Sequence, residues 1–370
     1  MEEKIITLAV LSYERAHILK SLLESEDMEC FLENANLIQG AVSAGVKVKI
    51  SQSNLEKAMG VLESMMQDDL GVADRQPEKI PPRVLLPVDF SDYSKKAAVF
   101  AMDWAHQLGA EITVLHAYFN PVISAVPFSD TFAYDMNMDD MVMELEQKAK
   151  EGMNDIISFM EEKNDTYGDK KIEINQVLVK GVAEDEIVRY SNTYKPLIII
   201  MGTRGIDRKS ADLIGSVTAE VMEKVKQPMM AIPEDFEYQG LDMMKNLLYA
   251  TDFQEADFKA IDALERIVRP LGVKIICAHI GGAKRSEWDD VRMTGLGEYL
   301  RKKYDETDVV CDLVEHEDFY VGLESYLQTH KVDVLSFTRR KRSLLSRLVN
   351  PNVAKKMLFH STTPLLVFND

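Results

Sequence analysis

One internal repeat constrains this chain more than any other feature. The stretch RVLLPVDFSDYSKKAAVFAMDWAHQLGAEITVLHAY, residues 83 to 118, can be laid over NLLYATDFQEADFKAIDALERIVRPLGVKIICAHI, residues 246 to 280. Asp89 falls on Asp252 and Phe90 on Phe253, while Leu108 and Gly109 fall on Leu271 and Gly272, and His116 on His279. The offset is constant, since 252 − 89 and 279 − 116 both give 163. Each copy reads as strand, helix, strand, with a glycine at the helix C-terminus. The far ends agree as well: PLIIIMGTRG…QPMMAI, 196 to 232, matches VDVLSFTRRK…TPLLVF, 332 to 368, and 364 − 228 = 136 sets Pro364 on Pro228. Runs such as LIIIM and MMAI are apolar throughout, as a parallel sheet covered by helices on both faces requires. A long repeat of this kind is read before any single residue, because it decides the architecture. The expected fold is two open α/β layer units, the first lengthened by an insertion between residues 119 and 150.

Within the first copy, MGTRGIDRKSADLIGSVT, residues 201 to 218, follows a buried strand directly. Such a chain leaves the sheet at its carboxyl edge, where open α/β sheets bind ligands. Gly202 and Gly205 remove side chains there and permit positive φ, so that backbone N–H groups can converge on an anion. Gly215 and Ser216 then open the helix VTAEVMEKVK. Free N–H donors and the positive end of the helix dipole make that start a seat for phosphate, with the hydroxyls of Ser216 and Thr218 as further donors. Neither GxxxxGK[ST] nor GxGxxG occurs in the chain.

The spacing G-x2-G-x9-G-[ST], together with VDFS after the first strand, resembles the ATP-binding branch of the universal stress protein family. The resemblance covers residues 83–234 and about 245–369. It implies Rossmann-like domains of the adenine nucleotide hydrolase type, with ATP, ADP or AMP held between the first and fourth strands and Mg²⁺ as a companion ion. It assigns Pro87 and Asp89 to the adenosine side and Ala117 to backbone contact with the base. Met201, Gly202, Arg204, Gly205, Gly215, Ser216, Val217 and Thr218 are assigned to ribose and phosphates. In the second copy Gly202 becomes Thr338, Gly205 becomes Lys341, Gly215 becomes Pro351 and Ser216 becomes Asn352. Side chains and a missing donor obstruct the cradle there, so one nucleotide site per chain is expected. The basic run RRKRSLLSR, 339 to 347, reads either as an altered anion site or as a solvated, salt-bridged face.

The first 70 residues form a separate βαββα pattern. Ala16, Leu19, Leu22 and Leu23 share one helical face, GVKVKI alternates as a half-buried strand does, and Leu55, Ala58, Met59, Leu62 and Met66 make a second stripe. This small α+β, ferredoxin-like module resembles, without a sharp motif, the prokaryotic signal-transducing protein family. The expected organisation is therefore module 1–70, linker 71–82, first α/β domain 83–234, linker 235–244 and second, degenerate domain 245–370.

Bulk properties narrow the function. A formal net charge of −18 repels phosphate backbones and anionic lipid, so nucleic acid and membrane are not expected partners. Cys30, Cys277 and Cys311 show no CxxC spacing, and the acidic start MEEKIITLAV is unlike a signal peptide, which points to a reducing, cytoplasmic setting. His116 and His279 read as structural, because His279 persists in the copy without the glycine loop. The methionines of MNMDDMVM, 136 to 143, read as an adaptable packing surface or a lid beside the pocket rather than a copper site. No local catalytic signature and no metal cluster is apparent. The expectation is a stress-response regulator that binds an adenine nucleotide in its first domain and acts through a protein partner, its two copies paired as a pseudo-dimer through their last strands, with a homodimer as a further assembly. A slow ATPase or phosphotransferase and a nucleotide-free scaffold are the rival readings.

Overall fold

A computed structural model describes residues 5–11, 13–34, 46–68, 81–118, 138–203, 214–281, 287–304, 307–340 and 362–369. The chain opens with β1 (Ile5–Leu11), α1 (Tyr13–Ser25), β2 (Cys30–Asn34), β3 (Val46–Ser51) and α2 (Leu55–Asp68). It continues through β4 (Arg83–Pro87), α3 (Asp92–Leu108), β5 (Glu111–Tyr118), α4 (Met138–Asp165), β6 (Ile174–Lys180), α5 (Ala183–Tyr194), β7 (Ile198–Gly202), α6 (Ser216–Lys224) and β8 (Met229–Ile232). Then come β9 (Asn246–Ala250), α7 (Glu255–Val268), β10 (Lys274–Gly281), α8 (Glu287–Lys303), β11 (Val309–Glu315), α9 (Phe319–Thr329), β12 (Val334–Arg339) and β13 (Leu365–Asn369). The element order from β9 to β12 repeats that from β4 to β7.

Two compact units result: Met1–Lys79 with Asn246–Lys331, and Ile80–Lys245 with Val332–Asp370. In the first, β1, β3 and β2 form an antiparallel sheet in that order. The βαββα pattern is present as expected. On α1, Ala16, Leu19 and Leu23 are buried, but Leu22 is 37 % exposed, so the buried stripe is narrower than the sequence suggests. On α2, Ala58, Met59, Leu62 and Met65 are buried, while the side chain of Met66 lies outside the described residues. The same unit carries the parallel strands β9, β10 and β11, with Cys277 paired to Tyr249 on one side and Cys311 on the other. The small module packs on α7 and α8 of this unit. Arg15 of α1 pairs with Glu255 of α7, and a Cβ at Gly295 of α8 would collide with Leu55 of α2. Glycine at 295 is what lets the two helices approach.

In the second unit the strands run in the order β12-β13-β8-β7-β4-β5-β6. All neighbours are parallel except β13 and β8, which pair antiparallel with Leu365 opposite Ala231 and Val367 opposite Met229. The last strands PMMAI and PLLVF therefore do meet. β7, β8 and β13 are buried almost throughout, in keeping with their apolar runs. Phe100 and Trp104 of α3 are fully buried with ring centroids 5.0 Å apart, each stabilising the fold by about 1.5–3 kcal/mol. Helix α3 stops at Gly109, which takes φ 60 and donates its N–H to Ala105 and His106 carbonyls. Gly272, with φ 62, ends the equivalent run of the second copy.

Candidate functional site

The order β8-β7-β4-β5-β6 reverses direction between β4 and β7, the switch point where connections leave to opposite sides. Leu85 pairs with Ile199 across this junction, and two residues further along each strand stand Pro87 and Met201. The carboxyl ends of β4 and β7 thus lie side by side at the edge of the sheet.

After β4 the chain makes a tight, hydrogen-bonded corner. The Asp89 carboxylate accepts from the Ser91 N–H at 3.1 Å, from the Ser91 hydroxyl at 2.6 Å and from the Ser94 hydroxyl. The Asp89 N–H donates to Ser94 Oγ at 3.0 Å, and Ser91 caps α3 by accepting from the Ser94 N–H. Phe90 is forced to φ 64, a left-handed conformation that a bulky residue adopts only under constraint. The constraint is visible: its ring lies 4.1 Å from that of His116, and a Cβ at Gly152 of α4 would reach within 2.5 Å of it. His116 donates Nδ1–H to the Val88 carbonyl at 2.8 Å. Burial depresses its pKa, outweighing that carbonyl and nearby Asp89, so the imidazole stays neutral. Ala117 follows on β5, partly exposed.

At the end of β7, two bonds close the glycine loop. Gly215 N–H donates to the Thr203 carbonyl at 2.6 Å, and Thr218 Oγ1 donates to the Gly202 carbonyl at 2.9 Å. Gly202, Gly215 and Thr218 are therefore brought together, with Ser216 exposed and Val217 partly exposed at the first turn of α6. Gly215 is the N-cap and supplies no side-chain bond to that turn, which leaves the first N–H groups open to a ligand or water. Two expectations change in detail. Neither Gly202 nor Gly215 has positive φ; Gly215 sits at φ −65 and ψ 158, so handedness is not what these glycines provide. Thr218 is buried and gives its proton to the backbone, bracing the loop. Arg204 and Gly205 lie outside the described residues, as do residues 119–137 of the insertion with Met136, while Met138, Met141 and Met143 fall at the start of α4, where Met143 is exposed.

Ser94 and Thr203 carry no expectation from the sequence, and Ser91 enters there only within VDFS. The spacing of Ser91 and Ser94 beside Asp89 is a capping signal that could have been read. Thr203 had no such signal, yet its hydroxyl is buried without a partner among the described residues, and a buried orphan of this kind calls for an explanation.

The corner between β9 and α7 has the shape of the one between β4 and α3, with altered chemistry. Phe253 takes φ 56, and His279 donates to the Thr251 carbonyl at 2.7 Å, which supports a structural role for both histidines. The carboxylate has moved, however. Asp257, at the position of Ser94, accepts from Thr251 Oγ1, Tyr249 OH and the N–H groups of Asp252 and Gln254. Asp257 thus takes the acceptor place that Ser94 holds in the first corner. At the edge of β9, Thr251, Phe253 and Arg292 wall a cleft of about 440 Å³, open side included, whose other wall is Thr7, Leu55 and Met59 of the small module. Thr338 is buried in β12, and Lys341, Pro351 and Asn352 lie outside the described residues. Among the described residues no cluster of three metal-ligating side chains occurs, and no helix is long and apolar enough to cross a membrane.

Comparison with known proteins agrees with this geometry. The Universal stress protein family matches residues 82–233, and the family described as Putative prokaryotic signal transducing protein matches residues 13–66. Universal stress protein MJ0531 of Methanocaldococcus jannaschii is 26 % identical over 159 residues, 43 % of this chain and 85 % of its own length. Universal stress protein YxiE of Bacillus subtilis is 22 % identical over 151 residues, 40 % of this chain and 97 % of its own. A solved universal stress protein from Archaeoglobus fulgidus superposes with a TM-score of 0.57 at 18 % identity, covering 78 % of this chain and 96 % of that one. That likeness of fold reaches well beyond residues 82–233. This chain carries a universal stress protein domain at residues 82–233, preceded at 13–66 by a domain of the signal-transducing type.

Proposed function

We propose that residues 83–234 bind one adenine nucleotide, ATP or its ADP or AMP forms, and that the chain is a stress-response regulator whose surface changes when the nucleotide binds. The observation that carries this reading is the closed loop at the switch point. Gly202 and Gly215 are tied together beside an uncapped helix N-terminus, with the Asp89 corner on the neighbouring strand. The residues suit the group: two positions without a Cβ, an unpartnered buried hydroxyl at Thr203, open N–H donors at α6 and a carboxylate fit to accept from a ribose hydroxyl. Ser216 and the first N–H groups of α6 would hold phosphate, with Mg²⁺ supplying charge neutralisation when bound. The chain's own part is to orient the nucleotide and to convert its presence into a change of the surface offered to a partner. To switch anything, the nucleotide must bind two states of the chain unequally.

The region 245–369 is, in this reading, a second universal stress domain that has lost the cradle. The antiparallel pairing of β8 with β13 supports an internal pseudo-dimer, and the walling of the β9 edge by the small module supports a single nucleotide site. Protein partners and a homodimer belong to the same proposal. Turnover is the weaker reading, because Asp89 accepts three hydrogen bonds from Ser91 and Ser94, an arrangement for holding a hydroxyl more than for moving a proton. Thermal unfolding with and without Mg·ATP is the direct test. At a hundred times Kd the folded state should gain about 2.7 kcal/mol, and an unchanged melting temperature at every nucleotide concentration would refute binding. Phosphate release that depends on Mg²⁺ and disappears in Gly215→Val would turn the reading toward an enzyme.

A further inference from the structure

Cys277 and Cys311 are distant in sequence and carry no redox motif, yet β10 and β11 set them directly opposite each other in a parallel pair. Neighbouring strands lie about 4.8 Å apart, inside the window of roughly 4.4–6.8 Å between Cα atoms that a disulfide spans. Residues in register on parallel strands point to the same face, so the two thiols adjoin. Cys277 is fully buried, and Cys311 is partly exposed. Over Cys311 stands Gly297 of α8, where even a Cβ would come within 3.4 Å of its sulfur and 3.6 Å of an Arg301 guanidinium nitrogen. The chain thus brings together the sulfur of a half-buried cysteine, a buried partner sulfur, a cation and a helix residue without a side chain to block them.

We infer that Cys311 and Cys277 form a peroxide-responsive thiol pair, Cys311 being the sulfur that is attacked by oxidant and Cys277 the one that resolves it. The asymmetry of their surroundings fits those roles. The adjoining Cys277 thiol, helped by Arg301, holds Cys311 below the ordinary thiol range, while Cys311 and burial hold Cys277 above it. In the first step the Cys311 thiolate attacks the O–O bond of hydrogen peroxide. An S–O bond forms, the O–O bond breaks, water leaves with the proton that Cys311 gave up, and sulfur is oxidised to the sulfenic acid. In the second step the Cys277 sulfur attacks Cys311. The S–S bond forms, the S–O bond breaks, and hydroxide departs as a second water with the Cys277 proton. Two thiols and one peroxide become one disulfide and two waters. The disulfide would draw Cys311 sulfur along the underside of α8, the helix that also bears Gly295 against Leu55 of the small module, so oxidation has a route to that module.

Cys30 serves as the internal control, being buried in the small module with its pKa raised chiefly by that burial. The purified full chain, treated with stoichiometric peroxide and then denatured, should lose two of its three titratable thiols, with peptide mass analysis joining Cys277 to Cys311 and Cys30 still reduced. In Cys277→Ser the same treatment should leave Cys311 as a sulfenic acid captured by a dimedone probe, and Cys311→Ser should show no captured adduct at Cys277. Thermal melts of both variants establish that they fold; if either does not, alanine replacements at the same positions give the same reading. Retention of all three thiols would overturn the inference, as would oxidation of Cys30 at an equal rate or capture at Cys277 instead of Cys311.

Discussion

At the residue scale, the glycine loop is held by two backbone acceptors. The hydroxyl of Thr218 satisfies the buried carbonyl of Gly202, so Thr218→Val should destabilise the protein by about 1–3 kcal/mol in urea unfolding, whereas Thr218→Ser should cost clearly less. Ser216 is exposed and makes no such tie. Ser216→Ala should therefore leave unfolding unchanged and weaken ATP by roughly 1.5–3 kcal/mol, read by titration; equal affinity would remove Ser216 from the site. The glycine spacing was legible in the sequence because it is a local signal, but the reason for it was not. Positive φ is one of two things glycine provides, and only coordinates tell it from close approach. The exchange of Ser94 for Asp257 was hidden for a related reason, since identity at the aligned Asp89 and Asp252 draws attention away from the position five residues later.

At the scale of elements, the αL corner links three pieces of chain. Phe90 is clamped between His116 of β5 and Gly152 of α4, so α4 is positioned by the first strand's corner. Gly152→Val would drive a side chain into the ring, and overpacking of this kind typically costs about 1–3 kcal/mol; the same change should shift the near-ultraviolet signal of the aromatic cluster and weaken ATP through Asp89. His116 adds a pH dependence. Its folded pKa is depressed, so as pH falls below about 6.5 the unfolded chain takes up the proton first and stability declines until the folded imidazole is also protonated. His116→Gln should flatten the stability profile over that window, and an unaltered slope would show that the imidazole does not carry it. The repeat, the helix stops at Gly109 and Gly272 and the pairing of the final strands were all readable, because each rests on a local pattern or an apolar run. The exposure of Leu22 was not, because the width of a buried stripe depends on what packs against it.

For the whole molecule, the least legible feature is the seat of the small module. The contacts that set it in one compact unit with residues 246–331 are single side chains, such as Leu55 at Gly295 and Arg15 at Glu255, and no periodicity announces them. In the proposed reading their consequence is functional: the edge of β9, where a second universal stress domain would face a ligand, is walled by Thr7, Leu55 and Met59. One functional nucleotide site and one covered site is the central claim. Calorimetric titration of the full chain with Mg·ATP, reading affinity and stoichiometry together, tests it most directly. One site per chain, abolished by Gly215→Val while the variant still melts cooperatively, is the expected result. Two sites, or no binding by this and a second equilibrium method, would contradict it.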